Sequence, residues 1–197
     1  MGYIETWIAN QPKWSFQVYA YSFALLLFVT IVYLVIALIF NWKKSRCFLA
    51  WGLTCYLIMV FVFTVFARGT TESYKYELEL FWTYKRGMAA NGGVMVCEII
   101  LNTLMLLPIG VVVPVFMVSR FCRCFSCGIA TVFLGCLVST AIEILQLVLR
   151  RGFFEFDDIF HNTLGVLIGF FLYCGIVKMK ENLHYKESAH AEKSNDK

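Results

Sequence analysis

From Trp14 to Trp42 the chain runs without a single charged residue, and its central part, Val18 to Phe40, is rich in Leu, Ile, Val and Phe. A helix crosses the hydrocarbon core of a bilayer with about 20 apolar residues. A segment placed there has to satisfy its own backbone hydrogen bonds, so the run reads as a spanning helix. Four more runs follow. Cys47 to Ala67 is uncharged and closed by Arg68; Val94 to Val118 is apolar except for Glu98 and Asn102. Ser126 to Leu149 is apolar except for Glu143 and Gln146, and Ile159 to Val177 carries His161 and Asn162 only at its start. The fold class that follows is all-α, a polytopic helical membrane protein with about five transmembrane helices over 18–41, 47–67, 94–118, 126–149 and 159–177. An N-terminal interfacial segment, 1–17, precedes them and a polar tail, 178–197, follows, expected to be without fixed structure because it mixes charges and lacks apolar periodicity.

Composition agrees. The 197 residues are 60% hydrophobic and 15% charged, against about 25% charged in a soluble domain. Five spans with short loops leave no room for a sizeable soluble domain. The first seventeen residues lack the basic stretch and small-residue cleavage site of a signal peptide, so span one is expected to stay in the mature chain.

Lys43, Lys44 and Arg46, then Arg120 and Arg123, then Lys178 and Lys180 fall on one side of the spans. The positive-inside rule makes that side the cytoplasm and gives an N-out, C-in topology. The segment 68–93 and the loop 150–158 then lie outside, where Arg68, Lys75, Lys85, Arg86, Arg150 and Arg151 are the opposing cations.

Cys55, Cys97, Cys136 and Cys174 fall inside apolar spans, where cysteine behaves as a small hydrophobe. Cys122, Cys124 and Cys127 form a tight group on the predicted cytoplasmic side with no second group to complete a zinc site. No glycine-rich phosphate loop and no basic aromatic pattern occurs, so neither a cofactor nor a metal nor a nucleic-acid partner is expected.

The chemistry left over is inside the spans. Glu98 and Asn102, four apart, share one face of span three. Glu143, Gln146 and Arg150 form one stripe on span four, and Asp158, His161, Asn162 and Gly165 repeat it at the start of span five. In the proposed topology all three stripes sit in the outer half of their helices. An ionisable residue in hydrocarbon costs about 2.5–3.5 kcal/mol on insertion scales and is by default a functional candidate facing the bundle interior. The candidate ligand-binding cluster is therefore Glu98, Asn102, Glu143, Gln146, Arg150, Arg151, Asp157, Asp158 and Asn162. The competing reading is that these groups only hold the helices together, at about 0.6 kcal/mol each. Pro108 frees the Leu104 carbonyl in span three and predicts a kink beside the stripe. In the outer segment Tyr74, Tyr76, Leu78, Leu80, Trp82 and Tyr84 alternate with mostly polar residues. That period predicts an amphipathic strand or extended arm, lying at the headgroup layer or covering the cluster.

These residues also carry a family likeness. Glu143-Ile-Leu-Gln146, followed by Arg150-Arg-Gly-Phe-Phe-Glu-Phe-Asp157-Asp158-Ile-Phe-His-Asn162-Thr-Leu-Gly165 and then Ile168-Gly169, resembles the signature of the VanZ-like membrane proteins. Asn102-Thr-Leu-Met-Leu-Leu-Pro108-Ile-Gly110 resembles their N-x-x-x-F-x-P-x-G element, with Leu106 at the phenylalanine position. The arm Tyr76-Glu-Leu-Glu-Leu-Phe81-Trp82-Thr-Tyr84 is similar to their N-L-x-P-F-W-S-Y segment, with Glu79 and Leu80 as departures. The likeness runs from about Arg68 to Tyr173. It implies a multi-pass protein of the bacterial cell envelope in the cell membrane, from a family named for a protein that lowers susceptibility to the glycopeptide teicoplanin.

What the likeness and the cluster suggest together is a protein that binds or modifies a lipid-linked or lipophilic ligand at the outer leaflet. Its expected partners are membrane lipids and a lipid-linked cell-wall precursor or glycopeptide. Arg150, Arg151 or Arg68 would meet an anionic headgroup, and Glu143, Asp157, Asp158 and Asn162 would position cations or polar groups. Two alternatives stand beside this. One is a membrane enzyme acting on a lipid phosphate with Glu143 and Asp158 as acid, base or cation ligands, against which no nucleophile pattern is present. The other is a small lipid transporter, against which no inverted repeat is present.

Overall fold

The computed structural model describes residues 25–32, 44–89, 92–117 and 125–195. Among the described residues four helices are long and apolar enough to cross a membrane: Arg46–Phe66, Val96–Phe116, Ser126–Val148 and Phe156–Lys186. Each coincides with a charge-poor run of the sequence, and the chain is a multi-pass helical membrane protein. The first predicted span falls outside the described residues except for a helical stretch over 25–32. There the Thr30 hydroxyl accepts the Trp51 indole N–H at 3.1 Å. The interfacial segment 1–17, Cys122 and Cys124 also lie outside the described residues.

In chain order the elements are α1 (Lys44–Phe61), whose last turn widens into a π-helix over Val62–Phe66; β1 (Tyr76–Glu77); α2 (Trp82–Ala89); α3 (Gly92–Phe116); α4 (Phe125–Val148); β2 (Phe154–Glu155); and α5 (Phe156–Asn195). Val60, Val65, Leu106, Ile109, Ile142 and Val166 form the buried apolar core, drawn from the four long helices. Most of the other large apolar side chains on these helices face outward, as a surface facing lipid requires.

Helices α3 and α5 are parallel neighbours: Asn102 meets Asp158 near one end, and two turns further on Gly110 lies against Val166. They approach so closely that backbone touches backbone. A methyl group built on Gly165 would fall 1.8 Å from the Thr103 carbonyl oxygen, and one on Gly169 would fall 2.2 Å from that of Leu107. Gly110 is equally crowded, 2.0 Å from the Val166 carbonyl oxygen. Gly165 and Gly169 are a G-x-x-x-G pair, the spacing that lets membrane helices pack at van der Waals range. In this chain the pair is used within the molecule, against α3.

Two expectations need correction. The alternating segment 74–84 is extended over only two residues. Tyr76 and Glu77 pair in parallel with Phe154 and Glu155, after which the chain turns at Phe81 and winds into α2. Apolar alternation does not reveal a helix-capping carboxylate that lies far off in sequence: Asp157 accepts from the backbone N–H groups of Phe81, at 2.5 Å, and Thr83, at 2.8 Å. The tail is the second. Instead of ending near Val177, α5 continues to Asn195. No Gly or Pro follows Gly175, and a run rich in Lys, Glu, Ala, Met and Leu propagates a helix already nucleated in the membrane.

Candidate functional site

One end of the bundle is polar. The π turn of α1 ends there, with the Ala67 N–H reaching back five residues to the Val62 carbonyl at 2.8 Å. Terminal carbonyls of a helix have no partner within it, and two from this turn are taken by α4 and the loop that follows it. Gln146 on α4 donates through Nε2 to the Thr64 carbonyl at 3.1 Å, and Arg151 donates through Nη1 to the Phe66 carbonyl at 2.5 Å.

Helix α4 ends at the same level in a Schellman turn. The Arg151 N–H bonds to the Gln146 carbonyl at 2.8 Å and the Arg150 N–H to the Leu147 carbonyl at 3.0 Å. That motif needs a left-handed residue at the position after the helix cap, normally glycine. Here it is Arg150, at φ 52°. Its carbonyl accepts from the Thr71 N–H at 2.7 Å, and its guanidinium lies 4.9 Å from the centre of the Tyr74 ring. The turn therefore ties the segment 71–74 to the end of α4 before β1 and β2 continue the tie.

Between these turns lie the buried polar groups. Glu143 is 1% exposed and accepts the Glu155 N–H through Oε2 at 3.0 Å. Asp158, one residue into the next helix from Asp157, accepts from Asn102 Nδ2 at 2.5 Å. One turn deeper Asn162 donates through Nδ2 to Ser139 at 2.9 Å, and Ser139 itself is one turn from Glu143 on α4. The carboxylates of Glu143 and Asp158 act electrostatically on each other, and the Arg68 guanidinium acts on both. Glu98, half-buried one turn from Asn102, adds its charge to the Asp158 side.

The segment from Phe81 to Tyr84 closes over this cluster. Asp157, 2% exposed, holds the N-terminus of α2 as a capping carboxylate, where the helix dipole favours negative charge. Phe81, in the left-handed region at φ 65°, packs edge-on against Phe160 at a ring separation of 5.6 Å. The Tyr84 hydroxyl meets His161 Nε2 at 2.9 Å.

The nine candidate residues are thus gathered at one end. Glu98, Asn102, Glu143, Gln146, Asp158 and Asn162 converge between α3, α4 and α5. Asp157 turns outward to the arm, and Arg150 and Arg151 are engaged at the rim with Tyr74 and the α1 carbonyls. The candidate cluster drawn from the sequence omits Ser139, Thr83, Tyr84 and His161, although His161 stands in the stripe of span five and Tyr84 in the alternating arm. Ser139 and His161 lie one turn from Glu143 and Asp158 respectively, whereas Thr83 and Tyr84 meet their partners through contacts more than seventy residues distant. Two buried acceptors in the cluster, Gln146 Oε1 and Asn162 Oδ1, have no hydrogen-bond partner. Among the described residues no three His, Cys, Asp or Glu side chains converge as metal ligands. A groove of about 350 Å³ lies elsewhere, along a single face of α5 from Gly175 to Lys186, and one helix face does not enclose a site.

The family model for VanZ/LLP1 matches residues 23–178. The chain belongs to the VanZ/LLP1 family. The matched region begins within the first predicted span, takes in all the residues of the polar end, and stops at Lys178, where charged residues return to α5. No curated protein and no solved structure is significantly similar to the chain.

Proposed function

We propose that this VanZ-family protein binds or modifies a lipid-linked or lipophilic ligand at the outer leaflet of the bacterial cell membrane, and that its polar end is the site. The observation that carries this reading is the depth and incompleteness of the cluster. Glu143, Gln146, Asp157, His161 and Asn162 are almost fully buried, and two of their acceptor atoms lack donors. Each buried acceptor left without a partner costs about 1–3 kcal/mol, a cost that a ligand group can remove and packing alone does not explain. Burial of the cluster among the spans favours a ligand that reaches it from the bilayer, and the N-out orientation expected from the Lys and Arg distribution would set it at the outer leaflet. Lowered susceptibility to glycopeptides is the phenotype that such a ligand suggests for a member of this family.

A second reading draws on the mutual influence of Glu143 and Asp158 with Arg68 beside them: an acid and base pair acting on a lipid phosphate. One experiment addresses both readings. Wild type, Glu143→Gln and Asp158→Asn are expressed at matched membrane levels in a teicoplanin-sensitive Gram-positive host, and teicoplanin and vancomycin susceptibility are measured together with the lipid retained on the purified proteins. Protection and a retained lipid in the wild type, both reduced in the variants, support the binding reading. A new lipid product that Glu143→Gln abolishes supports the enzyme. Unchanged susceptibility and unchanged lipid across all three refute both.

A further inference from the structure

Most amide donors of the buried cluster are already engaged. Gln146 Nε2 is taken by the Thr64 carbonyl, Asn102 Nδ2 by Asp158 and Asn162 Nδ2 by Ser139. The Glu155 N–H goes to Glu143, those of Phe81 and Thr83 go to Asp157, and Arg151 goes to the Phe66 carbonyl. Of the two unpartnered acceptors, Gln146 Oε1 is the decisive one. Its amide faces a backbone carbonyl, which can only accept, so the NH₂ end is fixed there and the oxygen is committed to the other side. Asn162 faces a hydroxyl, which suits either orientation, and contributes less to the argument. Gln146 is 2% exposed. Its Oε1 points to the space beside Gly152, where a methyl group would sit 3.0 Å from Oε1 and 3.1 Å from Arg68 Nη1. That guanidinium also acts electrostatically on Glu143 and Asp158, so Arg68 links the unpartnered oxygen to the two carboxyl groups.

Charge narrows the ligand further. Glu143 faces Asp158 and Glu155; Asp158 faces Glu155, Glu98 and Asp157; the cation acting on both is Arg68. Arg150 stacks on Tyr74 and Arg151 is turned to the α1 terminus. An incoming anion would find five carboxyl groups and one guanidinium. A neutral hydroxyl group supplies one donor to a site with several acceptors. An ammonium group supplies three donors and a positive charge together.

We propose that the polar end takes a primary ammonium headgroup carried on a membrane-partitioned amphiphile, its N–H groups donating to Gln146 Oε1 and to the Glu143 and Asp158 carboxylates. This rests on the reading of the cluster as a lipophilic-ligand site and specifies the head that site accepts. The test uses the full-length protein in phosphatidylcholine nanodiscs, with radiolabelled probes partitioned between loaded and empty discs. The probes are dodecylammonium, dodecyltrimethylammonium, dodecyl phosphate, dodecyl glucoside and the chainless ethylammonium.

Dodecylammonium is expected to bind saturably and about tenfold more tightly than the trimethyl and phosphate probes, because charge-assisted N–H bonds are roughly twice as strong as neutral ones. Ethylammonium should bind far more weakly, and Glu143→Gln should cost about tenfold through the same charge-assisted bond. Asp158→Asn serves as the second variant if Glu143→Gln melts below wild type. Equal retention of the trimethyl probe, preference for the phosphate, tight binding of ethylammonium, or dodecylammonium binding unmoved by both variants each overturns the ammonium assignment. Glucoside binding that depends on Glu143 overturns it too, while leaving the lipophilic-ligand reading standing. Retention of no probe overturns both.

Discussion

Gly165→Ala is the sharpest test of how the bundle is built. The added methyl would lie 1.8 Å from the Thr103 carbonyl oxygen, where ordinary contact begins at 3.4 Å. Its neighbour is backbone on another helix, so no side chain can swing away, and α3 and α5 must part by roughly 1.6 Å to restore a normal contact. Overpacking of that kind costs typically about 1–3 kcal/mol. The same parting stretches the Asn102–Asp158 bond from 2.5 Å to beyond hydrogen-bond range, losing a bond to a charged group of about 1.5–3 kcal/mol. Against this stands the gain of about 1 kcal/mol from replacing glycine by alanine in a helix. The net loss is about 1.5–5 kcal/mol, which for a chain of this size lowers Tm by roughly 3–20 °C. Gly175→Ala is the matched control, because nothing lies within 4 Å of its added methyl; it should hold or raise Tm. The assay is thermal unfolding of both purified variants in one detergent, followed by intrinsic tryptophan fluorescence. If Gly165→Ala melts within a degree of wild type, or Gly175→Ala loses as much, the close α3–α5 approach is wrong.

Asp157→Ala removes the two bonds that start α2, a loss of roughly 2 kcal/mol at the scale of a strong helix cap. Hydrogen exchange over 80–89 should rise while the amides of α3, α4 and the first five turns of α5 stay protected; uniform exchange across the chain would count against a local clamp. Arg150→Gly relieves the left-handed backbone at φ 52°, whereas Arg150→Val forces a β-branched residue into it. Gly should melt at or above wild type and Val about 1–2 kcal/mol below, and the reverse order would show that the Tyr74 stack outweighs the backbone. Tyr84→Phe deletes the hydroxyl that meets His161, costing about 1 kcal/mol and loosening the arm by limited proteolysis; an unaltered cleavage pattern would show that Asp157 alone holds it.

The spans were readable because hydrocarbon imposes one requirement over about 20 residues at a time, and a lone Glu98 or Glu143 does not hide such a run. The stripes were readable for the same reason: Glu143 with Gln146, and Asp158 with Asn162, keep helical spacing, and the structure brings them together between α4 and α5. The arm was only half readable. Its alternation located β1, yet α2 exists because Asp157 caps it from far along the chain, and no local pattern at Trp82 to Ala89 announces that. Arg150 and Arg151 show the same limit. Beside acidic residues they looked like anion receptors, whereas the turn ending α4 uses Arg150 as backbone and sends Arg151 to a carbonyl of α1.

Packing and polar chemistry in this fold are one arrangement. Asp158, Asn162, Gly165 and Gly169 follow one another at four, three and four residues, so they line a single face of α5. The glycines bring that face against the backbone of α3 at Thr103 and Leu107, and the distance they set is the distance at which Asn102 reaches Asp158. On the α4 side Gly135 does similar work, since a methyl there would lie 2.4 Å from Val166, one turn before Ser139 reaches Asn162. Small residues deeper in the bundle thus hold carboxylates and amides at hydrogen-bonding range near its end. A substitution at Gly165 or Gly135 should therefore weaken retention of the proposed ammonium amphiphile without touching Glu143 or Asp158, and retention that survives a loosened α3–α5 contact would separate the proposed site from the packing beneath it.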